Sequence, residues 1–192
     1  MEFRPMTNLD RDSIFLLLAL TESGRALRAM DEVERLACSR TPVQPGLERR
    51  EFQTVFDYIR LALQFSSNVS KIFWPHQHAA QRGVRLRALA GLADYHRLAD
   101  RRLRNHIEHL DERLDDWTKV SPRPFLSTEM ILHDDYPQGE RRDEVIGACA
   151  VVYDAPTNSV IVFGDVFSLK DLRHAVFDVQ ERCSAALVKC SG

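Results

Sequence analysis

The sequence lacks much of what several function classes require. Its longest uninterrupted apolar run is the seven residues 14–20, whereas a membrane-spanning helix needs about 20; no membrane partner is expected. No basic, apolar and small-residue leader pattern opens the chain, so the expected location is cytoplasmic. The four cysteines, Cys38, Cys149, Cys183 and Cys190, show no paired spacing. Neither a disulfide framework nor a zinc site is indicated, and no cofactor or metal is expected. The eight glycines never gather into a phosphate-cradling loop. Lysine is scarce, four residues against 22 arginines, and the net charge is −2. There is thus no global pull toward nucleic acid, and any such contact must come from a local patch.

What is present is globular. The 192 residues, 44% hydrophobic and 28% charged, suffice for one domain with a sizeable core, read as residues 1–192. Thr7-Asn8-Leu9-Asp10 has the form of a capping box and opens a helix reaching about Cys38. Pro42, Pro45 and Gly46 mark a loop. A second helix follows over residues 48–70, with Phe52, Val55, Phe56, Ile59 and Leu63 on one stripe, and Pro75 stops it. Two long helices with a short connection predict an antiparallel pair. Gly83 and Gly91 bracket a short helical turn. Over residues 98–119, Leu103, Ile107, Leu110, Leu114 and Trp117 recur in alternating steps of four and three, which predicts a helix with a buried a/d seam.

The texture then changes. Ser121-Pro122-Arg123-Pro124 closes the helical half, residues 8–119, and the polar stretch 134–144 reads as a loop. Residues 145–153 and 159–163 are rich in valine, isoleucine and aromatics, separated by Asp154-Ala155-Pro156-Thr157-Asn158, which predicts a β-hairpin over 145–163. A weaker third strand falls within 125–132. Ser168 caps a last amphipathic helix over 168–190, striped by Leu169, Leu172, Val176, Val179, Cys183 and Cys190. The expected fold is mainly α: an antiparallel helical bundle with a small C-terminal antiparallel hairpin or sheet and a final amphipathic helix.

The residues that carry chemistry lie in Leu103-Arg104-Asn105-His106-Ile107-Glu108-His109-Leu110. A fixed guanidinium for phosphate and an imidazole that moves protons near neutral pH are what metal-independent phosphodiester cleavage needs. On a helix with its seam centred on Leu103 and Leu110, Arg104, Asn105, Glu108 and His109 fall on the opposite, outer arc. Asn105 and His109 are then neighbours one turn apart. Arg101 with His106, and Arg102 with His109, have similar spacings. The plainer alternative is a solvated helix face with incidental Arg–Glu pairs.

Arg104-Asn105-His106-Ile107-Glu108-His109 resembles the signature of the HEPN superfamily, in which an arginine, commonly followed by a polar residue, precedes a histidine by a few positions. The resemblance implies a helical bundle, a homodimer whose motif helices face each other, and in many members metal-independent RNA cleavage. It implies roles for Arg104, Asn105 and His109: His109 as general acid or base, Arg104 on a phosphate oxygen, Asn105 orienting His109 or binding the phosphate. RNA is the implied substrate, and a toxin or defence setting with an antitoxin or other protein partner is implied by analogy. A non-catalytic homodimerisation or protein-interaction module is the alternative, and a small-molecule site lidded by the hairpin is a third possibility. His76-Gln77-His78 lacks a third metal ligand and reads as loop decoration. Trp74 and Trp117 read as core or interface aromatics, and Cys183 and Cys190 as packing residues.

Overall fold

Helical spacing of apolar residues builds most of the fold. The computed structural model describes residues 11–38, 48–120, 127–134 and 139–190; the proposed capping box at residues 7–10 lies outside them. Helix α1 (Arg11–Cys38) buries Leu16, Ala19, Ala26, Met30 and Val33, and α2 (Glu48–Phe73) buries Val55, Phe56, Ile59, Ala62 and Leu63. The two stripes face each other. The last helix, α7 (Leu169–Cys190), closes on α1 through Leu172, Val176, Val179 and Cys183. Arg173 of α7 ties that closure to Asp31 at 2.6 Å and to Glu34 at 3.3 Å, and Asn158, outside α7, donates to the same Glu34 at 2.8 Å. The protein is mainly α, and among the described residues no helix is long and apolar enough to cross a membrane.

Helix α3 (Ala80–Ala90) contains Gly83 rather than starting after it, and ends at Gly91, whose φ of +65° makes the left-handed cap. Gly83 is there because α3 touches the end of α2: a Cβ at this position would lie 2.6 Å from Pro75 Cδ and 2.7 Å from the Phe73 carbonyl oxygen.

The helix expected over 98–119 is broken. A 3-10 turn (Arg97–Ala99) is followed by α4 (Arg102–Glu108), a break at His109 (φ −123°, ψ 44°), and α5 (Leu110–Val120). The His109 amide still donates to the Asn105 carbonyl and the Arg113 amide to the His109 carbonyl, each at 3.0 Å, so the change of direction costs little hydrogen bonding. The predicted seam is accordingly only half covered. Leu103 and Trp117 are buried, whereas Leu110 is 56% exposed and Leu114 42%. Among the described residues Trp117 is the one buried side chain of α5, its ring 6.0 Å from that of Phe163.

Among the described residues four strands form one sheet in the order β1 (Ser127–Leu132), β2 (Cys149–Asp154), β3 (Ser159–Val162), β4 (Asp165–Ser168). The weaker strand expected within 125–132 is β1. It pairs parallel with β2, and the other pairings are antiparallel, so the sheet is mixed. A parallel neighbour demands a crossover, and α6 (Glu140–Ala148) supplies it. This corrects two expectations: residues 140–144 are not loop, and residues 145–148 are helix rather than strand. Val145 of α6 joins Leu132, Cys149, Val152 and Ile161 in a small core beneath the sheet. The β3–β4 turn places both Phe163 (φ +49°) and Gly164 (φ +88°) in the left-handed region, as a tight primed hairpin turn requires. For a phenylalanine this is strained, and its ring is held between His106 and Trp117.

One histidine carries part of the fold's pH dependence. His96 stacks on Trp74 (5.2 Å, 8° between planes), and its Nδ1 accepts from the Leu98 amide at 3.2 Å. Burial pushes its pKa below the ordinary 6.5, outweighing the opposing pull of Asp178. The unfolded chain therefore takes up the proton first, so this stabilisation is whole above pH 6.5 and is lost as pH falls toward the depressed folded value. The melting temperature should drop between about pH 7 and pH 5, and the drop should be shallower in His96→Asn, whose side-chain oxygen can keep the cap. Identical slopes in scanning calorimetry would show that His96 is not the titrating group.

Candidate functional site

Helix α4 sits between the end of α2 and the β3–β4 turn, so it is buried on two sides. Leu103, Arg104 and His106 all face inward. Arg104 is 1% exposed. Its Nη1 donates to the Trp74 carbonyl at 3.1 Å, and its Nε lies 3.9 Å from Glu108 Oε2. Nε and Nη2 have no hydrogen-bond partner among the described residues. Burial lowers the Arg104 pKa, Arg101 pushes the same way, and Glu108 opposes. Glu108 is shared with Lys71, whose Nζ is 2.7 Å away. Burial would raise the carboxyl's pKa, but the hydrogen bond and charge of Lys71 hold it below its usual value.

The expected outer arc is therefore corrected. Arg104 is inside, Asn105 is half-buried and His109 is on the surface, its Nδ1 3.5 Å from Glu112 Oε2. Among the described residues no hydrogen bond or ion pair joins Arg104 to His109. A helical wheel with one buried direction fails here because this short helix has two. His106, which the sequence offers only as a spacing partner of Arg101, is given no role there. It is buried, its Nε2 is 2.6 Å from Asp165 Oδ2, its ring meets Phe167 edge-on at 5.7 Å, and its Nδ1 has no partner among the described residues. Asp165 lies 59 positions away, and no local spacing points to it.

A cavity of about 340 Å³ opens between α2, α4 and the β4–α7 junction, with Ser66, Ser67, Leu103, Arg104 and Phe167 among its walls. Its rim charges are already matched, Arg97 with Asp171 and Arg102 with Asp100. His76 and His78 stand exposed with rings 6.4 Å apart, and among the described residues no cluster of three His, Cys, Asp or Glu is placed to hold a metal. The arrangement offers a surface imidazole at a helix break, exposed leucines following it on α5, and, on the buried side of α4, an incompletely paired guanidinium. No family model matches the chain, and no curated protein or solved structure matches it either.

Proposed function

We propose that the chain is a HEPN-like, metal-independent endoribonuclease, or an RNA-binding relative, that works as a cytoplasmic homodimer built on α4 and α5. The observation that carries this reading is the half-covered seam: Leu110 and Leu114 are exposed on a sequence patterned for burial, directly beside His109. The two segments are also oppositely charged. Arg101 stands at the start of α4 beside Arg102, which is paired with Asp100, and Asp111, Glu112, Asp115 and Asp116 follow along α5. Antiparallel pairing of two copies about a dyad near His109 sets each basic end against the other's acidic end and covers the leucines.

That dyad supplies two His109 side chains to one cleft. One accepts the proton of an RNA 2′-hydroxyl as its oxygen attacks the adjacent phosphorus. The other donates a proton to the departing 5′-oxygen, leaving a 2′,3′-cyclic phosphate and a 5′-hydroxyl. Arg104 acts from beneath, where a charge with two unpaired donors is weakly screened. Asn105, one turn before His109, holds its orientation.

The protein should sediment as a dimer at tens of micromolar. Leu114→Lys should weaken dimerisation at least tenfold and lower RNA cleavage in parallel with His109 intact; cleavage by the monomeric variant would refute a two-chain site. A second reading, a non-catalytic module that holds a copy or a protein partner on the same face, is favoured by the burial of Arg104 away from His109. It predicts dimer or complex formation and no cleavage at any metal concentration.

A further inference from the structure

We propose that the cleft between the start of α1 and the start of α3 is a binding site for a phosphate monoester. The cleft has a volume of about 510 Å³, and its walls include Arg11, Gln77, His78, Gln81, Arg82 and Arg85. Every one of these side chains can donate a hydrogen bond, and no carboxylate is among the described wall residues. Two of the arginines are fixed in place. Arg85 is gripped by Asp12 through two hydrogen bonds of 3.2 Å. Arg82 lies over the Phe15 ring at 4.6 Å and donates to the Lys71 carbonyl at 3.3 Å, while its Nε is buried with no partner among the described residues. Arg11 is exposed, with no partner among them either.

The charge selects the ligand. Three arginines less Asp12 leave a local +2 in a chain whose net charge is −2. A phosphate monoester carries about −1.5 to −2 at neutral pH and three acceptor oxygens, whereas each backbone diester of a nucleic acid carries a single charge. A cleft rich in donors, with no carboxylate among its described wall residues and two uncancelled charges, therefore suits a terminal phosphate better than a passing backbone. Gln77 and His78, from a segment poor as a metal site, form one wall of this cleft. The assignment is independent of whether His109 cleaves RNA.

The full chain should be titrated with inorganic phosphate, AMP, adenosine and an unphosphorylated RNA hexamer, which has only diesters, with binding read by calorimetry and by amide NMR shifts. AMP and phosphate should bind, shifting resonances of residues 77–85, and adenosine should not. Arg11→Gln and Arg85→Gln, both at exposed positions, should each weaken AMP at least tenfold without altering circular dichroism or RNA cleavage. The proposal is overturned if neither phosphate nor AMP binds, if both variants bind AMP as the parent does, or if adenosine binds equally well. It is also overturned if the hexamer occupies the cleft and AMP fails to displace it, since the cleft would then read a nucleic-acid backbone. A failure of RNA cleavage with AMP binding intact would count against the ribonuclease reading alone.

Discussion

Replacing His109 with alanine should reduce RNA cleavage by about 10²–10⁴-fold, the range that a lost general acid or base commands, while the melting temperature stays within about a degree or two of the parent. The imidazole is half exposed, and its one described side-chain contact is a 3.5 Å approach to Glu112, so truncation removes little that holds the fold. Cleavage by the parent should survive EDTA, and its products should end in 2′,3′-cyclic phosphate. His109→Ala retaining full cleavage would remove His109 from the chemistry. His106→Gln is the companion variant: if it alone abolishes cleavage, the buried pair with Asp165 is the proton-transfer group instead.

Arg104 gives the second large effect, and it is one of stability. Arg104→Ala should destabilise the protein by about 2–4 kcal/mol, as truncation of a large buried side chain does. It leaves a cavity, and it removes the donor from the Trp74 carbonyl and one counter-charge from Glu108. Arg104→Met should cost far less, because it fills most of the space and removes a buried charge that lacks full pairing. Urea unfolding separates the two. In the ribonuclease reading, Arg104→Met is a stable protein that has lost cleavage. A stable Arg104→Met that cleaves as the parent does would make Arg104 a structural residue only.

The three long helices were legible because each keeps its apolar spacing for five turns or more against one partner surface. The hairpin turn was legible from Asp154 to Asn158, where proline and asparagine leave few backbone choices. The break at His109 was not, because residues on either side keep helical spacing and both bridging hydrogen bonds survive it. Periodicity registers phase, and a one-residue change of direction leaves phase almost untouched. Helix α6 was hidden by a polar start and by Val145, whose preference for strands is overridden by the crossover that parallel pairing requires. The fourth strand shows only Val166 and Phe167 between a glycine turn and the cap of α7, too short a signal to read alone. The site divides the same way. Residue types in the motif were readable, but which of them face inward depends on Trp74 and on a turn nearly 60 positions downstream, and both lie beyond any local window.

The closure of α7 on α1 has a consequence for the order of folding. Helices α1 and α2 can meet as soon as both exist, since a short segment joins them. Their remaining apolar flank stays wet until α7 arrives, and the tie between Asp31 and Arg173 spans 142 positions. Closing so long a loop is entropically costly before any contact repays it. Refolding should therefore pass its barrier late, with the helical pair already collapsed and the sheet delivering α7 as the final stave. A fragment ending at residue 120 would contain five of the seven α-helices of the described residues and still lack the surface that makes the first one stable.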